Sequence, residues 1–371
     1  MSLSEKRPLL PSNIKKKGTK PVLVIHGGAG TLDRSRLTPE LRVKYIAALE
    51  QALLAGNDVL ANGGEALDAV VAAVTVLEDC PLFNSGKGAV FNSAGKNELE
   101  ASVMLSRPPS NRPDILPTRR GIGVTLITRA KNPSHLVRAL YLAPESIHHA
   151  FLSGAYPEDF AASRGETLVD PSYFWTEARW REHRRGLGLP EDPLPYPSTT
   201  DSSDAPLDQL PKGTVGAVAL DAQGCIACLT STGGLTNKLP GRVGDTPTMG
   251  TGFWAEEWKP TGPLARLWRK LTRKPLRVAV GVSGTGDGDY FIRLNAASTV
   301  AHRMKYLGES LDKATSAVVE DLKLNGGLGG LIAVNQDGQV ALPLNCSGMY
   351  RGVIRTDGVP KTAIFDDEIL A

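Results

Sequence analysis

Aromatic residues make up only 6% of the 371-residue chain, and just four cysteines occur, Cys80, Cys225, Cys228 and Cys346. Four thiols cannot build a disulfide framework in a chain of this length. Cys225 and Cys228 have CxxC spacing inside a strand pattern, so they point to opposite faces and cannot jointly clamp a metal. Long apolar runs are lacking too. The longest uncharged apolar stretch, 69–77, is far too short to span a bilayer. Lys, Arg and Pro interrupt the N-terminus, which therefore has no apolar core of a secretory signal. These absences predict a protein away from membranes, in the cytoplasm. The six histidines, at 26, 135, 148, 149, 183 and 302, form no HExxH or other ligand spacing. There is no GxSxG elbow and no GxxxxGK[ST] phosphate loop. Gly27-Gly-Ala-Gly30 follows a strand but lacks GxGxxG spacing, so a tight backbone turn is the better reading than a dinucleotide site, and an oxidoreductase is a distant reading.

The chain has 41% hydrophobic and 22% charged residues with a formal charge of +3, the composition of a folded protein with a sizeable core. Its basic charge is local: residues 1–20 carry six basic side chains against Glu5, and the run 259–277 carries seven. Neither run has the interleaved aromatics expected of nucleic-acid readout. The first 20 residues read as a basic disordered tail. The stretch 190–212, rich in Pro, Ser, Thr and Asp, reads as a mobile linker.

Val22–Ile25 reads as a buried strand running into the His26-Gly-Gly-Ala-Gly30 turn. Thr38-Pro39 caps a helix that fades near Asn62. Glu65–Leu77 is a second, apolar helix, Ile122–Thr128 a strand, and 133–185 is largely helical. Beyond the linker the period switches to strands. Val215–Leu220 and Ile226–Thr230 form one hairpin, and Leu331–Asn335 and Val340–Leu344 another. A layered α/β protein follows, with helices over a mostly antiparallel sheet core.

The residues left to carry chemistry are threonines at strand ends beside glycines: Gly213-Thr214, Thr232-Gly-Gly234 and Gly284-Thr285-Gly286. At such ends backbone N–H groups are free to face a ligand. The hairpin brings Thr232 back beside Thr214.

These segments belong to a longer ordered set: His26-Gly-Gly-Ala-Gly30, Cys80-Pro-Leu-Phe-Asn-Ser-Gly86, Gly213-Thr-Val-Gly-Ala-Val-Ala-Leu-Asp221, Ser231-Thr-Gly-Gly234, Asn237-Lys-Leu-Pro-Gly-Arg-Val-Gly-Asp245 and Ser283-Gly-Thr-Gly286. The set resembles the plant-type asparaginase/isoaspartyl aminopeptidase family of N-terminal-nucleophile hydrolases. The resemblance covers about residues 21–100, 121–170, 213–254 and 278–353. It implies a four-layer αββα sandwich with two central, mostly antiparallel sheets, forming one domain over 21–371. It also implies a precursor that cuts itself between Gly213 and Thr214 into an α chain, 1–213, and a β chain, 214–371. The freed α-amine of Thr214, with an ordinary pKa of about 7.7–8.0, would serve as base for its own hydroxyl, which accounts for a site without histidine.

By the same resemblance, Thr232 orients the Thr214 hydroxyl, and Thr285 with the Gly286 N–H forms the oxyanion hole. Arg242 holds the substrate α-carboxylate, Asp245 holds its α-ammonium, and Gly288 completes the binding pocket. Asn84 supports precursor geometry. Substrates held this way are L-asparagine and β-aspartyl dipeptides. No cofactor is implied for catalysis. A structural sodium ion is implied, bound by backbone carbonyls of Leu77, Glu78, Cys80, Phe83, Ser85 and Lys87. The partner is a second processed αβ unit, giving a heterotetramer; no nucleic acid or membrane enters.

The chain departs from the family at three places. Glu98-Leu-Glu-Ala101 and Met104-Leu-Ser106 stand for ELDA and Met-Asp-Gly, and a Pro/Arg-rich stretch follows to Arg120. Gly284 stands where cysteine is common. An insertion spans 256–276 and, leading towards the Thr285 strand, is expected either to alter substrate access or to be a surface excursion. The alternatives are a glycosylasparaginase, disfavoured by the missing signal, and a threonine endopeptidase, disfavoured by clamps for free termini. A non-cleaving binding protein that keeps the fold is the alternative of a different class.

Overall fold

In a computed structural model of the chain, residues 19–35, 37–197, 213–260, 271–272 and 276–370 are described. The expected tail (all but Thr19 and Lys20), residues 198–212 of the linker and most of the 256–276 insertion lie outside them.

Twelve strands among the described residues make two sheets. The larger runs β12 (Lys361–Phe365), β11 (Gly348–Arg355), β1 (Val22–Gly30), β5 (Val215–Leu220), β6 (Ile226–Thr232), β2 (Leu99–Leu105), β3 (Gly121–Ile127) and β4 (Phe151–Ser153). The smaller runs β10 (Val340–Ala341), β9 (Gly329–Asn335), β8 (Val278–Gly286) and β7 (Phe253–Trp258). Every pair is antiparallel except β3–β4.

Side-chain parity sets the layers, because successive strand residues face opposite ways. Leu23, Ile25, Val215, Ala217, Leu229 and Val103 pack under α1 (Pro39–Ala61), α2 (Ala66–Asp79) and α3 (Pro133–Tyr141). Their neighbours Val24, Val218, Cys228 and Met104 meet Phe253, Ala279 and Ile332 of the small sheet. The outer face of that sheet, Val280, Val282 and Leu331, is covered by α6 (Ala296–His302) and α7 (Leu311–Leu324). The result is helix, sheet, sheet, helix.

Local signals explain the helix starts. Thr38 Oγ1 accepts the Leu41 N–H at 3.2 Å, and Pro39 opens α1 with its φ preset. Three segments differ from their sequence reading. The HGGAG segment does not leave the sheet as a turn: β1 continues to Gly30 along β11, with the register shifting between His26 and Ala29. Gly28 absorbs the shift at φ +118°. The 133–185 region contains β4 besides α4 (Ala155–Ser163) and α5 (Glu177–Gly186). Residues 256–258, placed in the insertion by sequence, continue β7, with Glu256 opposite Val280 and Trp258 opposite Val278.

Candidate active site

The site lies between the sheets, at one end of β5. Val215 pairs with Ser231, so the next step of the register sets Thr214 opposite Thr232. On the far side of Thr232 stands Glu100 of β2. All three have the parity that faces the small sheet, and β8 answers with Ser283 and Thr285.

Two side chains from different strands hold the Thr214 carbonyl: His26 Nδ1 at 2.8 Å and Thr285 Oγ1 at 3.0 Å. Because a carbonyl only accepts, Nδ1 carries the imidazole proton. Nε2 therefore accepts from Ser283 Oγ at 2.7 Å, and Ser283 lies 3.2 Å from Thr230 Oγ1. Complete burial holds the His26 pKa down to about 3 against the opposing Thr214 contact, so the ring is neutral at any working pH.

Thr214 is 6% exposed, and its Oγ1 lies 3.4 Å from Thr246 Oγ1. The bond expected from Thr232 to Thr214 is not found here. Thr232 Oγ1 instead accepts the Gly234 N–H at 3.0 Å. Gly213 precedes Thr214 in a slot that admits no side chain: a Cβ there would stand 2.6 Å from both the Ala29 nitrogen and Thr285 Oγ1. Gly213, Gly286, Gly28, Ala29 and Tyr350 line a cavity of about 280 Å³. A larger one, about 510 Å³ beside Arg120, His148 and Trp254, contains none of these groups. Gly286 sits at φ +141° against the Leu328 carbonyl, a conformation and a clearance that only glycine meets.

The loop after β6 carries Arg242, Asp245 and Thr246. Arg242 Nη2 donates to Asp289 Oδ1 at 2.8 Å. Asp245 is 5% exposed, and burial first, then the charge of Glu100, push its carboxyl up to about 7, against Arg242. Gly288 abuts Asp245 Oδ1 and lies, by its would-be Cβ, 3.2 Å from Arg242 Nη2. Glu100 is 1% exposed and its pKa is likewise raised by burial. Its Oε1 accepts from Thr125 Oγ1 at 3.1 Å and the Gly244 N–H at 2.9 Å. Its Oε2 has no partner among the described residues.

Asn84 ties the loop after α2 to the end of β6. Its Nδ2 donates to the Gly234 carbonyl at 2.7 Å, and its Oδ1 accepts the Val90 N–H at 3.1 Å. Beneath, the buried Glu78 carboxylate accepts from Ser134 and from Ser231 Oγ at 2.7 Å, and burial pushes it up to about 7. The six residues whose carbonyls were assigned to sodium form one tight curl. Gly86 packs on the Glu78 carbonyl and Gly88 on that of Phe83. The last turn of α2 holds no basic residue of its own, and Lys131, which reaches its end, pairs with the Asp79 side chain at 3.0 Å. Carbonyl oxygen donors suit a hard monovalent cation. No cluster of three or more His, Cys, Asp or Glu able to hold a metal occurs among the described residues. Cys225 and Cys228 do fall in opposite cores.

Sequence reasoning missed His26 as a contact of Thr214, and it missed Thr246. Strand parity could have pointed His26 at Ser283. Nothing in the sequence marks Thr246.

A threonine at a strand start, held from two sheets beside an arginine–aspartate loop on an αββα sandwich, defines an N-terminal-nucleophile type of hydrolase. The sequence model described as asparaginase matches residues 19–259 and 277–364, and the chain belongs to that family. The unmatched gap falls inside the β7–β8 connection. The chain is 40% identical to the isoaspartyl peptidase of Salmonella typhimurium, over 93% of this chain and 99% of the relative. It is 36% identical to a putative isoaspartyl peptidase/L-asparaginase of Dictyostelium discoideum, over 91% and 94%. Against the isoaspartyl peptidase/L-asparaginase of Xenopus laevis the identity is 34%, over 91% and 93%.

Proposed function

We propose that this chain cuts itself between Gly213 and Thr214 and then hydrolyses the side-chain amide of L-asparagine and the isopeptide bond of β-aspartyl dipeptides. The observation that carries this reading is the Thr214 environment: its carbonyl is fixed by His26 and Thr285, its hydroxyl lies beside Thr246, and Asp245 is next in the chain.

In the first step the Thr214 hydroxyl attacks the Gly213 carbonyl carbon. The C–N bond breaks, and the resulting ester is hydrolysed to a Gly213 carboxylate and a free Thr214 amine. That amine then takes the hydroxyl proton as Oγ1 attacks the substrate β-carbonyl. The Gly286 N–H and the Thr285 hydroxyl, which turns to it from the Thr214 carbonyl, stabilise the oxyanion, and Thr232 orients the hydroxyl. The amine returns the proton to the leaving ammonia or amino acid, and water releases L-aspartate. Arg242 clamps the α-carboxylate and Asp245 the α-ammonium, with Gly288 as the floor between them. Asn84 holds the Gly233–Gly234 backbone beside this machinery. A sodium ion on the carbonyls of Leu77, Glu78, Cys80, Phe83, Ser85 and Lys87 would brace that loop; no step runs through it. The working form is a pair of processed αβ units in the cytoplasm. Among the described residues no helix is long and apolar enough to cross a membrane.

N-terminal sequencing and intact mass after incubation at neutral pH test the reading. The expected result is a new terminus Thr-Val-Gly-Ala-Val, ammonia released from asparagine, and neither in Thr214→Ala. An intact wild-type chain without ammonia release overturns the enzyme reading in favour of a fold kept for binding.

A further inference from the structure

We infer that Glu100 is a second carboxylate for the substrate α-ammonium, acting beside Asp245, so that two anions select substrates bearing a free α-amine. This rests on the proposed reading of the site and deepens it. Three observations converge on Glu100.

The first is its orphaned oxygen. Glu100 is 1% exposed, yet Oε2 has no hydrogen-bond partner among the described residues. A buried, unpaired carboxylate oxygen is strongly disfavoured unless a ligand completes it. The two cations that bear on it do not hydrogen-bond to it: Lys238 Nζ donates to the Glu98 carbonyl at 2.5 Å, Arg242 Nη2 donates to Asp289, and Arg242 Nε has no partner among the described residues either.

The second is position. Glu100 stands in register with Thr232, which faces Thr214 on the next strand. Adjacent strands are about 4.8 Å apart, so its Cα lies roughly 10 Å from that of the nucleophile. A substrate whose β-carbonyl meets Thr214 carries its α-amine roughly 4 Å further out, and the glutamate side chain covers much of the rest.

The third is the gap itself. Glu100 Oε2 and Arg242 Nη1 each lie 2.8 Å from the point where a Cβ at residue 244 would stand. Gly244 thus keeps a side chain out of the gap between the carboxylate and the clamp. With Asp245 and Asp289 on the other side of Arg242, the local balance is anionic and fits an ammonium.

L-aspartate and succinate differ only in the α-amine, so the ratio of their affinities reads the ammonium site alone. We would measure both by calorimetry on wild type, Glu100→Gln and Glu100→Asp. In E100Q the preference for L-aspartate should fall by about tenfold or more, the size of a lost charge-assisted hydrogen bond. E100D, charged but shorter, should lie between. A ratio within twofold of wild type in both variants overturns the inference, including the case where both ligands weaken together because Arg242 has moved. If E100Q does not fold, E100D decides by the same ratio. Binding needs no turnover, so the inference is tested on the processed chain whether or not that chain hydrolyses asparagine. Loss of activity in the wild type would overturn the proposed function separately.

Discussion

As the proposed holder of the substrate α-ammonium, Asp245 would make that recognition depend on pH in a range where ordinary aspartates do not titrate. Burial pushes it up to about 7, Glu100 and Asp289 push in the same direction, and Arg242 opposes them. Ammonium binding needs the ionised form. With a pKa of about 7, that form falls from about nine-tenths at pH 8 to about one-tenth at pH 6. The affinity for L-aspartate should therefore weaken about tenfold as the pH is lowered between those values. The Thr214 amine titrates nearby, but it faces the distal carboxylate of L-aspartate and succinate alike. The ratio of their inhibition constants against asparagine hydrolysis cancels its contribution. That ratio should change about tenfold in wild type and clearly less in Asp245→Asn, where Glu100 is the one carboxylate left for the ammonium. A wild-type ratio constant within twofold from pH 6 to 8 would refute the argument. Folding has the matching sign. A carboxyl whose pKa is raised in the folded state favours folding fully below its unfolded value near 4, and that contribution is lost as pH rises through about 7. Asp245→Asn should therefore gain more thermal stability at pH 8 than at pH 5.

Gly284→Cys, which restores the residue common in the family, should destabilise this chain by about 1–3 kcal/mol through overpacking. A Cβ at 284 would lie 2.5 Å from the Phe291 ring. Urea titration should show the loss and its recovery on adding Phe291→Leu; a variant as stable as its parent refutes the packing account. Replacing 260–276 by a tight turn should leave the ratio of asparagine to β-aspartyl-dipeptide turnover within twofold. The segment's anchors pair as Trp258 with Val278, seven residues and roughly 23 Å along β8 from Thr285. A larger change would restore the idea that the insertion controls access.

That distance favours the surface excursion over the access reading of the insertion. Being followed by the Thr285 strand is a statement about chain order, and an extended strand separates its two ends by its whole length. The start of the insertion was misplaced for another reason. Glu256 and Glu257 look like the opening of a charged surface run, yet they continue β7. Lys305 at 2.6 Å and Arg107 at 3.2 Å pair with them there, and both partners are remote in sequence. Patterns carried by neighbouring residues were legible: the Thr38-Pro39 cap, the alternation in β5 and β6, and the glycine-flanked threonines. The HGGAG segment was not, because two adjacent glycines read locally as a turn. Its strand character comes from β11, more than 300 residues away. Glu100 was visible only as a departure from a motif; its place beside Thr232 is a fact of register.

The same register explains how a cut at Gly213 can leave the site standing. The ladder of β5 with β6 begins at Val215, and its ladder with β1 begins at Gly216. Severing the 213–214 peptide removes no rung of either. The Thr214 carbonyl lies on the retained side of the break, where His26 from the large sheet and Thr285 from the small one both donate to it. The new terminus would thus stay anchored from two layers while the cavity side loses only what Gly213 occupied. The slot that admits no side chain at 213 becomes space for a substrate β-carbonyl, next to the Thr285 hydroxyl that already faces it. On this geometry, precursor and mature site are one set of contacts with one peptide exchanged for one ligand.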